Sequence, residues 1–446
     1  MIMRVAGGLG VFLVGSLALG QSREPLCVTT RARRLVSGPY LRVNGSDRVV
    51  ARPFPQGSPT AFLVAVRDPD HSLRVGDSRG LTRGPQELGW VPPRTTPRPS
   101  GMTFLRVDTD LAVQGEAVFV RDPVESPRPP DEETIAPGIP VGATVDAGVL
   151  VLEHLNGDLY ATVVPPSGPV PEAHRVAEAP VPIAPDAHRG FVWLTMVERG
   201  AEGHRGALAL AGTDDGSVVS LRFDGAGARM GEPSRWSRRV GGVMTLLPVP
   251  EGARPVALLE RPVRGTTATG AQAREQVLVR LDDALEPVGE PERTGLGPYP
   301  TGYATRGSTL VLTQWAEARG LALATLPVRD GAVALELPRI WTTTPFAGVP
   351  LGHAMVRGGT ILYDFMLHGD DVAGALHGYL AWVPPAGAPF ARREVLPLRA
   401  RVLAPPALLP AEDGFVAVLA EEDETGAGVD AVHVRCELVT FPAPRP

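Results

Sequence analysis

The sequence predicts an all-β chain built of repeated four-stranded antiparallel units, and three observations carry that expectation. A phrase recurs: LRVDTDLAVQGE at 105–116, LRFDGAGARMGE at 221–232 and VRLDDALEPVGE at 279–290, each an alternating strand ending in Asp, then a turn, then Gly-Glu. Looser copies begin near Tyr160, Leu323, Leu380 and Leu438, so the starts follow one another at a mean step of about 55 residues, in the range of propeller blades. Short apolar hairpins starting near Val149, Phe191, Val256, Thr309, Ile361 and Phe415 keep nearly the same step, as repeated supersecondary units do. Helix signals are scarce. The expected architecture is about seven blades, with six to eight admissible.

In chain order, the first element is a leader. Residues 1–20 carry Arg4, an apolar run from Val5 to Leu19 and small residues at Ala18-Leu19-Gly20, the layout of a signal peptide ahead of a single domain at 21–446. The run is short and glycine-rich for a membrane span, and no later stretch approaches about 18 uninterrupted apolar residues. The expected location is extracytoplasmic, periplasmic or secreted. A lipid anchor at Cys27 is the alternative, although Leu26 and the polar run Gln21–Glu24 depart from a lipid-attachment pattern.

Pro92–Pro99 and Pro123–Pro140 read as exposed, proline-extended loops. Val149–Leu155, Asn156-Gly157 and Asp158–Val164 give the clearest hairpin, because Asn-Gly readily adopts the left-handed turn that matches strand twist. The longest window without Gly or Pro, Ala271–Glu286, places Val277, Leu281 and Leu285 at helical spacing, yet Val277–Asp282 also fits the recurrent phrase and is read as strand. In the last strand Val432, Val434, Cys436 and Leu438 share one face. If the final blade lacks its outer strand, the segment after Cys27 supplies it, and a Cys27–Cys436 disulfide fastens the ends of an exported chain.

Composition removes several function classes. All 43 basic residues are Arg, which excludes a P-loop Lys, a kinase strand Lys, a Schiff-base amine and a Ser-Lys dyad. The net charge is −6 and the arginines are scattered, so no electrostatic footprint for nucleic acid exists. The chain resembles a seven-bladed β-propeller of the kind found in secreted bacterial proteins. The resemblance covers most of 28–446 and rests on period and pattern, without WD, kelch or Asp-box signatures. It implies a scaffold that hosts enzymes and binders alike.

Three constellations bear on chemistry. Gly76-Asp77-Ser78-Arg79-Gly80 matches a nucleophile elbow and resembles the first block of GDSL esterases, with His433 as base and Asp430 as orienter; Gly84-Pro85 then blocks the helix that such an elbow needs. Reading each apolar hairpin strand to its polar end gives Glu153, Glu198, Glu260, Gln314, His368 and Glu421, which in a ring of equivalent blades surround one channel mouth and could hold a hard cation such as calcium or a basic ligand. Asp364 interrupts the apolar strand Ile361–Leu367 and requires a partner. No cofactor is otherwise expected. The expected function is an exported, non-enzymatic module that binds a protein, glycan or small ligand. The alternative is an extracellular hydrolase or lyase using carboxylates at the channel mouth.

Overall fold

The computed structural model describes residues 27–38, 49–68, 73–75, 100–123, 140–180 and 190–294 with short breaks, the strands alone between 301 and 402, and 407–436 with short breaks. Among the described residues there is no helix, and the strands assemble into seven antiparallel sheets that follow the chain in order. Sheet one comprises Val49–Pro53, Phe62–Asp68, Gly101–Val107 and Val118–Arg121; sheet two Val141–Val145, Gly148–Leu155, Asp158–Val164 and His174–Ala177. Sheet three begins at Trp193–Arg199, sheet four at Gly242–Leu247, sheet five at Thr301–Arg306 and sheet six at Ala354–Arg357. Sheet seven is built on Ala407–Ala411, Gly414–Asp423 and Gly426–Cys436. This is β-propeller architecture. The first strands touch in succession from sheet five through six, seven, one, two and three to sheet four.

Because such sheets pack face to face, their middle strands are buried on both sides and read as unbroken apolar runs rather than alternations. Phe62–Asp68 and Gly148–Leu155 are buried at every position, whereas the outermost Val118–Arg121 is not. One core joins sheets one and two through Val50, Leu63, Phe104, Val149 and Val151, and another joins two and three through Leu150, Leu159, Ala207 and Leu221. The window with helical spacing is the strand Gln272–Leu281, third in sheet four.

The recurrent phrase is the connection from a sheet's third strand to its outermost one. Oδ1 of Asp108, Asp224 and Asp282 accepts from the backbone N–H groups two and four residues on, at 2.8–3.0 Å in all three. The residue three positions on adopts positive φ: Leu111 at 64°, Gly227 at 75° and Leu285 at 64°. A left-handed Leu costs roughly 1–2 kcal/mol. Both leucines are fully buried between neighbouring sheets, which returns about 1.5–3 kcal/mol each and makes the conformation sustainable. The arginine of the phrase reaches the next sheet. Arg106 donates to the carbonyls of Pro165 at 2.9 Å and Gly168 at 2.7 Å, and Arg222 to that of Asp283 at 3.1 Å.

Sheet seven draws on both ends of the chain. Cys27–Ser37 pairs antiparallel with Gly426–Cys436 over its whole length, which hides an otherwise unpaired edge. Arg34 Nε lies 2.5 Å from Asp430 Oδ1, and the two residues are direct cross-strand partners with nearly buried side chains.

Candidate functional site

The strongest cluster of buried charge sits where sheets one and two meet. Arg67 is the residue after Val66, which pairs with Val49 at the start of the first strand of sheet one. Glu153 is the residue after Leu152, which pairs with Val141 at the start of the first strand of sheet two. The two are therefore equivalent positions in neighbouring sheets, a cation in one and a carboxylate in the next. Relative exposure is 4% for Arg67 and 7% for Glu153, too little for water to solvate either charge.

Arg67 Nη1 donates to Glu153 Oε2 at 2.9 Å and to Asp122 Oδ1 at 2.7 Å, while Nη2 donates to Asp122 Oδ2 at 2.5 Å and to Ser100 Oγ at 3.0 Å. Asp122, just past the outermost strand of sheet one, is held in place by its own N–H, which donates to the Ser100 carbonyl at 2.9 Å. Among the described residues, Arg67 Nε has no partner. One guanidinium nitrogen thus serves two carboxylates. Burial pushes the Glu153 carboxyl up from 4.5 to about 7; the Arg67 charge opposes this and the Asp122 charge adds to it. Burial disfavours the Arg67 cation, but Glu153 and Asp122 more than offset it and raise its pKa.

Glu153 is thus placed in a defined constellation. Glu260 and Gln314 also lie on second strands and pair with the first residues of the first strands, Gly242 and Thr301, while Asp364, His368 and Glu421 lie beyond the residues of their second strands that pair with Ala354–Arg357 or Ala407–Ala411. The side chains of Gln314, Asp364, His368 and Glu421 lie outside the described residues. Glu198 differs. It is the penultimate residue of the first strand of sheet three, which runs the opposite way, and so sits at the other end of the sheets. Its Oε1 accepts from Thr144 N–H at 3.0 Å, and Thr144 Oγ1 donates to the Pro53 carbonyl at 2.7 Å, lacing three sheets together. Among the described residues no three His, Cys, Asp or Glu side chains gather as a metal site requires.

The structure adds a further departure from the esterase pattern. Asp430 and His433 are three residues apart on one strand, an odd separation that puts them on opposite faces. Asp430 is engaged by Arg34, while His433 meets Thr30 Oγ1 at 2.6 Å and Asp413 Oδ1 at 3.1 Å. Ser78 lies outside the described residues.

Sequence reasoning missed Arg67 and Asp122. The rule of reading an apolar strand to its first polar end, applied to FLVAVRD at 62–68, yields Arg67 directly. Asp122 borders the proline-rich stretch and reads as the start of a loop.

No protein-family model matches the sequence, and no curated protein sequence does. Among solved structures, the polysaccharide lyase Uly1 is similar at 9% identity with TM-score 0.47, over 92% of this chain and 98% of that one. The Trypanosoma rangeli sialidase is similar at 8% identity with TM-score 0.41, over 74% of this chain, which spans only 56% of the sialidase. The catalytic domain of a Coprinopsis cinerea GH62 alpha-L-arabinofuranosidase matches at 10% identity with TM-score 0.34, over 57% of this chain and 93% of that one. Likeness at this level is one of shape. The expectation of a non-enzymatic module is corrected, since the solved structures that the chain resembles bear the names of enzymes.

Proposed function

We propose that the protein is an extracellular hydrolase or lyase acting on a glycan polymer, with Glu153 transferring the proton and Asp122 as the paired carboxylate. The observation that carries this reading is the buried Glu153 carboxyl, with a pKa near 7, sharing one Arg67 nitrogen with a second carboxylate. A general acid works best when its pKa lies near the operating pH, since it then holds a proton and releases it readily. Cleavage of a glycosidic bond asks for a carboxyl that protonates the leaving oxygen and a second carboxylate that acts on the sugar or on water. Elimination uses the same acid with a base that removes a carbon-bound proton. Arg67 is the positioning residue, fixing both carboxyl groups through three hydrogen bonds.

Export belongs to the same reading, with residues 1–20 as the signal peptide and 21–446 as the working domain. Among the described residues no helix is long and apolar enough to cross a membrane.

The test is turnover on a panel of neutral and acidic polysaccharides. New reducing ends read hydrolysis, and ultraviolet absorbance of a new carbon–carbon double bond reads elimination. Glu153→Gln should lower kcat by about 10²–10⁴-fold with its circular dichroism unchanged. Full activity in that variant, or no turnover of any glycan by the parent protein, would sink the proposal.

A further inference from the structure

The register of sheet seven brings together two residues that stand at opposite ends of the chain. Cys27 and Cys436 are direct cross-strand partners in the pairing of Cys27–Ser37 with Gly426–Cys436. Direct partners in an antiparallel pair project to the same face, with Cα atoms about 4.5 or 5.5 Å apart. Both values fall within the roughly 4.4–6.8 Å that a disulfide spans. Seven positions along from Cys27, Arg34 makes its nearly buried ion pair with Asp430 across the same two strands. The first strand is therefore tied to the last by charge at Arg34 and, at its other end, has Cys27 in register with Cys436. These two cysteines are the only ones in the sequence, so no competing pairing exists within one chain.

We infer that Cys27 and Cys436 form an oxidative clasp that joins the first and last strands of the propeller. The reaction is thiol–disulfide exchange with a disulfide oxidant of the extracytoplasmic space. One cysteine thiolate attacks the oxidant's sulfur and expels a thiolate. The second then attacks the resulting mixed disulfide, expelling another. Two protein thiols are oxidised and one external disulfide is reduced to two thiols, the exchanged protons ending on the leaving sulfurs. The bond closes a loop of some 400 residues, a span over which cross-linking restricts the unfolded chain strongly.

The experiment uses the full chain recovered from an oxidising compartment. Without reductant, neither cysteine should react with iodoacetamide, and protease digestion should yield one cross-linked peptide pair containing Cys27 and Cys436. Reduction should lower Tm by at least about 3 °C. Cys27→Ser, Cys436→Ser and the double substitution should each give that same Tm, because each removes one and the same bond. Alkylation of both thiols in the unreduced protein overturns the inference, as do a thioether-linked lipid on Cys27, an intermolecular disulfide, and additive losses in the double variant. Should the serine variants fail to fold, the parent protein with and without reductant still decides.

Discussion

At one end of sheets one, three and four the chain turns on an aspartate that bonds to its own backbone; at the other, Arg67 and Glu153 hold the same register position in adjacent sheets and bond to each other. The register confirms that the two ends are opposite, since Val107 beside the turn pairs with Phe62, and Gly101 pairs with Asp68. At the turn end the same residue types recur because the same local bonds must be made. At the far end, equivalent positions carry opposite charges. Similarity between repeats thus marks what each sheet needs to fold, and the departure from similarity marks where a buried charge cluster forms.

That contrast can be broken experimentally. The largest effect is expected for Arg67→Met, which leaves Glu153 and Asp122 buried without their cation; loss of one partner from such a cluster costs about 3–5 kcal/mol. Urea unfolding measures it, and a loss below about 1 kcal/mol would mean that the cluster is better solvated than its burial indicates.

The next effect sharpens the comparison through pH. The folded Glu153 carboxyl keeps its proton up to about pH 7, whereas the unfolded chain gives it up near 4.5. The folded state binds the extra proton between those values, so this contribution is fully present below about pH 4.5 and is lost as pH rises through 7. The linkage amounts to at most about 3 kcal/mol. Urea midpoints taken at pH 5, 6 and 8 should fall more steeply in the parent than in Glu153→Gln. Equal slopes would separate Glu153 from the titration.

The smallest effect belongs to the turns. Asp224→Ala removes the acceptor of two backbone N–H groups, a loss akin to that of a helix cap, and should cost about 1–2 kcal/mol. It should leave any turnover unchanged, because the turn lies at the end of the sheets away from Glu153. A fall in kcat without a fall in stability would erase the division between the two ends.

The fold was legible because its cause is local. The phrase starts at Leu105, Tyr160, Leu221, Val279, Leu323 and Leu380 all fall on third strands, and in the three strict copies the Asp-based turn is the same; Leu438 lies outside the described residues. The pairing of the first strand with the last was also readable, from one unpaired edge and two cysteines. The site was legible only in part. Asp122 and Glu153 lie 55 and 86 residues from Arg67 along the chain, and nothing local to any of the three announces the others. Glu198 was misplaced for a related reason. The apolar run after Phe191 forms a first strand, whereas its counterparts at Val149 and Val256 form second strands, and stepping by one strand reverses the direction in which a polar end points.

The pairing of Cys27–Ser37 with Gly426–Cys436 also sets an order of events during biosynthesis. Translation delivers the first strand some 400 residues before its partner. Until then sheets one to six can form in sequence, while the seventh waits with its leading strand unattached. Final closure joins residues remote along the polymer, a step whose search cost makes it late and slow. A chain that stops short of Gly426 would present an open sheet edge to its surroundings.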